Sequence, residues 1–308
     1  MTVAVYVVLA AGLLGALAGS AARTWWYARH PTHLRWELYP VPHEARERAR
    51  YGGSYFETPE WWSVPRERNT LGEVLFMARE ILFLHALFVS HRRLWYRSFP
   101  FHIGLYLVVA GAVALLGATA LDATAGVPPG AAWASLQRAC VFLGWAGVAL
   151  TLAGAAALLH YRLTDRRMKV ATTPGDLFNL ALFVVAFGLL AAGAWLRPEG
   201  SPDLLAVVTG LLARDTSLEV PGLLAAGIVA CAALVAYIPL THMSHYVGKW
   251  FTYHAVRWDD APLADRSRLM VAISAQLAWR PTWSATHMQS DGRRTWADVA
   301  SSNPGREP

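Results

Sequence analysis

The sequence contains little charge for its length. Of its 308 residues, 16% are Asp, Glu, Lys or Arg, whereas 55% are hydrophobic. A water-soluble domain of this size would need more charge to cover its surface, so the composition excludes a soluble globular protein. The apolar stretches also lack the alternation of polar and apolar residues that membrane β-strands show, which excludes a transmembrane barrel.

Cysteine is equally scarce. The chain has two, Cys140 and Cys231, and neither belongs to a CxxC or CxxCH motif. This excludes an iron–sulfur cluster, a covalently attached c-type haem and a disulfide framework within this chain. Both cysteines lie inside apolar runs, where we interpret them as small buried hydrophobic residues.

Five long apolar runs dominate the rest of the sequence. Each has about 20 residues or more, the length that a helix needs to cross a hydrocarbon layer of roughly 30 Å. They occupy residues 3–22, 101–121, 139–159, 177–196 and 221–247. Because a helix satisfies its own backbone hydrogen bonds in lipid, we predict an all-α integral membrane bundle of five transmembrane helices.

The basic residues predict the orientation of these helices. Of the 27 Lys and Arg residues, 24 fall in residues 23–100, 161–176 and 248–308, and only Arg138, Arg197 and Arg214 fall in the other two connections. Because positively charged loops stay inside, we predict that the N-terminus is outside and the C-terminus cytoplasmic. The net charge of +6 then reflects topology and requires no nucleic-acid partner. Arg23 directly follows the first run and no basic stretch precedes it, which favours an uncleaved anchor over a signal peptide.

These features divide the chain into four segments. Residues 1–28 form the first transmembrane helix, 29–100 a cytoplasmic loop, 101–247 a four-helix membrane core and 248–308 a cytoplasmic tail. Within the loop we expect irregular structure over residues 30–65 and one interfacial helix over residues 71–99, which ends in a basic, aromatic stretch. The polar tail carries scattered tryptophans, so we expect it to dock on a cytoplasmic partner, with a disordered tail as the alternative.

The histidines carry the candidate chemistry. Four of the eleven lie in or at the ends of the predicted spans, all on the cytoplasmic side: His102, His160, His242 and His245. An ionisable side chain in a membrane helix is costly and often functional, although a single histidine there can also reach the interface or bind a backbone carbonyl. Histidines on two facing helices are the arrangement that a bis-histidine haem needs. Small residues on the second and third spans fit either a flat macrocycle or close helix packing. They are Gly104, Gly111, Gly144 and Gly147.

The outer half of the predicted bundle lacks haem ligands. No histidine or methionine occurs in residues 103–159, and no histidine occurs in residues 161–241. We therefore predict no haem near the outer face, and a quinone site in the inner leaflet, because no relay would carry electrons across the membrane. A second haem on the cytoplasmic side stays open, and it would use His160 with His242 or with a loop histidine such as His85 or His91.

Three motifs resemble the membrane cytochrome b family of respiratory nitrate reductase gamma subunits. They are FHIG at residues 101–104, RMKVATTPGD at 167–176 and IPLTHMSH at 238–245. The long loop and the tail sequence RTWADVA at residues 294–300 are more similar to cytochrome b subunits of sulfite-reduction-associated and heterodisulfide-reductase-like complexes. The resemblance implies that His102 and His245 hold the iron of a cytoplasmic-side haem b, with His242 as the rival ligand or as a contact to a propionate or quinone. The family's second ligand pair falls here on Ala112 and Gly227, and this departure from the family pattern agrees with the absence of an outer-face haem.

Together these features predict a haem b anchor subunit of a respiratory oxidoreductase in the cell inner (plasma) membrane. Electrons would pass between the quinone pool and a cytoplasmic iron–sulfur protein, heterodisulfide-reductase-like or nitrate-reductase-like, and catalysis would lie on other subunits. Arg162 is a candidate contact to a haem propionate or to quinone, with a positive-inside anchor as its alternative role. A haem-free scaffold and a small transporter are the alternative functions. The transporter is disfavoured because no charged residue lies in the middle of a predicted span.

Overall fold

The structure is a computed structural model that describes residues 1–29, 40–65, 67–125, 131–260, 267–284 and 288–302. For residues 120–125 and 131–133 it describes the backbone alone. Residues 30–39, where the expected irregular segment begins, lie outside the described residues, and His30 and His33 are among them. His287 in the tail also lies outside the described residues. The chain divides into two compact units. Met1–Gly19 and Glu73–His242 form the membrane unit, and Ser20–Gly72 and Met243–Pro308 form the second unit.

Helices make up the regular secondary structure of the described residues, which confirms the predicted all-α class. In chain order they are α1 (Thr2–Arg29), α2 (Arg46–Tyr51), α3 (Thr70–Phe83), α4 (His85–Ser90), α5 (Arg92–Ala125), α6 (Ala131–Thr164), α7 (Arg166–Val170), α8 (Pro174–Trp195), α9 (Leu204–Ala213), α10 (Gly222–Tyr237), α11 (His245–Phe251), α12 (Arg268–Leu277) and α13 (Trp296–Ser301).

Five stretches are long and apolar enough to cross a membrane. They are Thr2–Arg29, Arg92–Thr119, Ala134–Thr164, Pro174–Trp195 and Gly222–Leu240. Each overlaps one of the five apolar runs of the sequence, so the predicted number and order of spans are confirmed. The protein is a multi-pass membrane protein.

The helix expected over residues 71–99 is interrupted. α3 ends at Phe83, and Leu84 adopts a left-handed backbone with φ of 49° before α4 begins. The buried side chain of Glu80 stabilises this break, because its carboxylate accepts a hydrogen bond of 2.8 Å from the backbone N–H of Ala86 in the first turn of α4. Glu80 therefore caps a helix, which hydrophobic periodicity alone did not reveal.

The second span begins earlier than its apolar run. α5 starts at Arg92, so the basic and aromatic stretch predicted to end the interfacial helix forms the first turns of a spanning helix instead. Pro100 consequently lies inside that helix. Trp95 fixes this end of α5, since its indole donates a hydrogen bond of 2.8 Å to the carbonyl oxygen of Phe83 and stacks on Phe99 at 4.7 Å.

Glycines bring the spanning helices of the membrane unit into backbone contact. A Cβ atom added to Gly104 of α5 would lie 2.7 Å from the carbonyl oxygen of Gly147 in α6, and one on Gly147 would lie 2.6 Å from the carbonyl oxygen of Gly104. A Cβ on Gly111 would approach Cys140 to 2.9 Å, whereas one on Gly144 would meet no atom within 4 Å. Of the two roles left open for these glycines, helix packing is therefore the one that Gly104, Gly111 and Gly147 serve.

The last span ends earlier than its apolar run. α10 stops at Tyr237, and two 3-10 turns, Ile238–Leu240 and His242–Ser244, precede α11. Pro239 has no N–H to donate, and Thr241 is extended with φ of −116°, so the α-helical hydrogen bonds cannot continue. His242 and His245, which we expected to close one helix, thus belong to different elements.

Loop and tail pack together in the second unit. Tyr27 near the end of α1 stacks on Phe251 of α11, with ring centroids 5.4 Å apart. Tyr55 donates a hydrogen bond of 2.8 Å to Oδ2 of the buried Asp260, and Nε2 of His43 lies 3.7 Å from the same oxygen. The described part of the tail therefore contacts residues of the long loop.

Candidate functional site

His102 lies about three turns into α5 with its ring half-buried. Its Nδ1 atom is 2.8 Å from the backbone carbonyl oxygen of Ser98 and 3.2 Å from the hydroxyl of the same residue. A carbonyl oxygen can only accept, so Nδ1–H donates and the lone pair of the neutral ring belongs to Nε2. A histidine can bind a metal through Nε2 in this tautomer, with its other nitrogen anchored by a carbonyl.

Aromatic contacts hold the helix around His102 in place. The ring of neighbouring Phe101 packs edge-on against Phe183 of α8 at 4.9 Å. One turn further along α5, Tyr106 donates a hydrogen bond of 2.9 Å to the carbonyl oxygen of Ile81 in α3. These contacts restrict the position and rotation of α5, and with them the direction in which His102 can present Nε2.

His242 joins a polar cluster of the membrane unit. Its Nε2 atom is 3.3 Å from Nδ2 of Asn179 and 3.4 Å from Oδ1 of Asp176, both of which lie on α8. Asn179 is buried, and its Oδ1 accepts a hydrogen bond of 3.0 Å from the hydroxyl of Tyr237. The cluster therefore links the start of α8 to the end of α10.

Arg162 extends the same cluster from the end of α6. Its guanidinium lies 3.6 Å from Oδ2 of Asp176 and donates a hydrogen bond of 3.2 Å to the hydroxyl of Thr172. Thr173 and Asp176 form a capping box that starts α8, in which the carboxylate accepts from both the N–H and the hydroxyl of Thr173. The TTPGD motif thus begins a spanning helix and supplies the carboxylate that Arg162 and His242 approach.

Three members of this cluster were not predicted as site residues: Asn179, Tyr237 and Asp176, the last of which appeared only as the end of a family motif. A signal for one of them was present, since Asn179 is the only amide or charged residue in the run 177–196. A buried amide in lipid requires hydrogen-bonding partners. Its partners come from α10 and from the turn after it, so their identity depends on how the helices pack.

The side chains of the two remaining candidate histidines are exposed, as is that of His242. His160 lies in the last turns of α6 with an exposed side chain. His245 is the first residue of α11 and is exposed within the second unit. The structure thus brings His242 and Arg162 together, while His102 and His245 belong to different units.

Ala112 and Gly227, the positions that match the second ligand pair of the resembled family, lie within α5 and α10. Gly227 is a close-packing residue, because a Cβ atom there would lie 2.5 Å from the Cα atom of Leu190 in α8. Cys140 is buried, and Cys231 lies 3.6 Å from the carbonyl oxygen of Ala186. Within the described residues, no group of three or more His, Cys, Asp or Glu side chains could hold a metal ion.

An imidazole whose Nδ1–H is anchored to a backbone carbonyl, as in His102, is the type of ligand that a bis-histidine haem requires. Comparison with protein families finds the model of the nitrate reductase gamma subunit over residues 85–259. This range includes α5, α6, α8 and α10, and all four histidines discussed above. Among curated proteins and solved structures, none matches the chain. Because the family match covers more than half of the chain, the protein belongs to the nitrate reductase gamma subunit family, and thus to the membrane electron-transfer subunits of respiratory oxidoreductases.

Proposed function

We propose that this protein is a haem b subunit that transfers electrons between the quinone pool and a cytoplasmic iron–sulfur partner. The observation that carries the proposal is the hydrogen bond from Nδ1 of His102 to the carbonyl oxygen of Ser98, which selects the tautomer with its lone pair on Nε2, a tautomer suited to binding iron. Bound haem would supply one-electron chemistry, and the side chains of this chain would orient it and tune its potential.

His245 is the second ligand in this proposal. Two points support this choice. The IPLTHMSH motif resembles the family, and the rival ligand His242 already contacts the polar cluster. Nε2 of His242 lies 3.3 Å from Nδ2 of Asn179 and 3.4 Å from Oδ1 of Asp176, so this atom would have to leave the polar cluster to bind iron. We assign His242 to the polar cluster, and His160 is a ligand only if a second haem is present on the same side.

Arg162 and His242 are the proposed contacts to a quinone ring or to a haem propionate. The carbonyl oxygens of a quinone and the carboxylate oxygens of a propionate both accept hydrogen bonds, and a guanidinium pairs especially well with a carboxylate. Tyr237 and Asn179 place further polar groups in the same cluster. A quinone site here would lie in the inner leaflet, given the orientation that the basic residues predict.

Catalysis belongs to other subunits in this proposal. The chain has no motif for iron–sulfur ligation, so the partner must carry the clusters and the terminal reaction. The loop and tail resemble those of subunits with heterodisulfide-reductase-like partners, which we favour over a nitrate reductase catalytic subunit. We place the complex in the cell inner membrane, with the N-terminus outside.

Haem quantitation and a reduced-minus-oxidised absorption spectrum of the purified protein test the proposal. We expect one haem b per chain, and we expect H102Q and H245Q to lose it while H160Q, at an exposed position, keeps it. Two haems per chain would assign a role to His160, whereas zero haem would support a scaffold subunit. If H102Q retains the wild-type spectrum, the proposed ligand assignment is wrong.

A further inference from the structure

A groove lies at the opposite ends of α6 and α8 from the polar cluster. It has a volume of about 690 Å³ and is formed by α6, the end of α8 and the start of α9. Its walls are mostly apolar and include Val141, Trp145, Ala191 and Leu204. The volume lies within the range of about 300–1,000 Å³ that is typical of sites for small amphiphilic molecules.

Two charged residues line the groove, and only one is engaged by the protein. The carboxylate of Asp203 accepts a hydrogen bond of 2.8 Å from the N–H of Ala206 and caps α9. The Nε atom of Arg197 is buried, and no acceptor among the described residues bonds to it. Because Nε itself is enclosed by the protein, a ligand in the groove would meet the guanidinium through its terminal nitrogens. A cation that lines an apolar groove favours a ligand with an anionic oxygen.

The groove opens where lipid headgroups would lie. Arg197 follows the end of the span Pro174–Trp195, and the adjacent Trp195 is 89% exposed, as expected for an aromatic residue at a membrane boundary. α9 has ten residues and is too short to cross the hydrocarbon layer. An apolar groove that ends at a cation at this depth matches an acyl chain followed by a phosphate.

We propose that this groove is a binding site for an anionic phospholipid. The phosphate accepts from the guanidinium of Arg197, and one acyl chain lies against the alanines of α8 and the indole of Trp145. The lipid thereby joins α6, α8 and α9 at this end of the bundle. This site is independent of the haem and quinone proposals.

Native mass spectrometry of the full-length protein tests the site. Delipidated protein is titrated with phosphatidylglycerol or with phosphatidylcholine, and R197Q is compared with R138Q and R214Q. Arg138 and Arg214 are exposed arginines in the same two connections of the sequence, so their variants control for charge alone. We expect wild type, R138Q and R214Q to bind phosphatidylglycerol equally, and R197Q to bind it roughly tenfold more weakly.

A second variant keeps the charge and fills the groove. Ala191→Phe should lower phosphatidylglycerol binding as much as R197Q, while haem content and helical circular dichroism stay at wild-type values. Equal binding by R197Q and R138Q would overturn the proposal. The proposal would also be overturned if the wild-type protein co-purified with quinone instead of lipid and R197Q lost that quinone.

Discussion

Nε2 of His242 lies 3.3 Å from Nδ2 of Asn179, a buried amide on α8 whose Oδ1 accepts a hydrogen bond from Tyr237. Through this contact, one amide joins the last turn of α10 to the 3-10 turn that follows it. α10 ends at Tyr237, before Pro239, so the 3-10 turn that carries His242 lacks α-helical hydrogen bonds to hold it. Asn179 supplies that restraint from a neighbouring helix.

Asn179→Leu should destabilise the membrane unit by about 1–3 kcal/mol, because it leaves the Tyr237 hydroxyl and Nε2 of His242 without the amide. Tyr237→Phe removes only the hydroxyl. In a double-mutant cycle on unfolding in mixed detergent, Tyr237→Phe should cost less in the Asn179→Leu background than in wild type. Strictly additive effects would show that the two side chains do not interact.

Gly147→Ala should disturb the packing of α5 on α6, whereas Gly144→Ala should not. The added Cβ atom would lie 2.6 Å from a backbone oxygen at residue 147 and would meet nothing within 4 Å at residue 144. We expect Gly147→Ala to lower the unfolding free energy by about 1–3 kcal/mol, the usual cost of overpacking. The two variants sit one turn apart on the same helix, so equal thermal midpoints would contradict the close contact.

Arg162→Gln separates an anchoring role from a role in electron transfer. The ion pair with Asp176 is partly exposed, so its loss should change stability by less than about 1 kcal/mol. If Arg162 contacts quinone, the rate of haem reduction by a soluble quinol should fall severalfold while the thermal midpoint stays nearly constant. Arg166→Gln, at an exposed residue that starts α7, is the matched control. If both variants slow haem reduction equally, Arg162 contributes only to the general positive charge of this surface and does not contact quinone.

The cap of α13 should weaken in acid. Hydrogen bonds from the backbone N–H and the hydroxyl of Thr295 hold the pKa of Asp298 below its ordinary value of 3.8. A lowered pKa in the folded state means that the carboxylate stabilises the cap above pH 3.8, and that this contribution is lost as the pH falls through the lowered pKa.

Hydrogen exchange of the peptide around α13 measures this effect. Wild type should be better protected than D298N at neutral pH, and the difference should vanish as the pH drops below the ordinary range of a carboxyl group. Comparison at each pH removes the intrinsic pH dependence of exchange. A difference that persists unchanged in strong acid would show that the carboxylate does not act through its charge.

The family match extends what single motifs indicated. FHIG, TTPGD and the final histidine motif all fall within residues 85–259, so the resemblance based on them is confirmed at the level of the family. The relation to heterodisulfide-reductase-like subunits rests on the loop and on the tail sequence at residues 294–300. The tail sequence and most of the loop lie outside the matched range, so the relation stays a prediction.

The sequence by itself determined the five spans, because a run of about 20 apolar residues is a local property that suffices for a helix to cross the hydrocarbon layer. It also singled out the four histidines, but it expected all of them at the ends of spans, whereas His102 lies about three turns into α5 and His245 begins α11 after the last span has ended. Only the tertiary structure decided where α5 begins, that α10 stops at Tyr237, and that Gly104 and Gly147 serve helix contact. It alone placed Asp176 and Asn179 beside His242. Those features depend on hydrogen bonds and backbone approaches between helices distant in the chain, which no local pattern of hydrophobicity encodes.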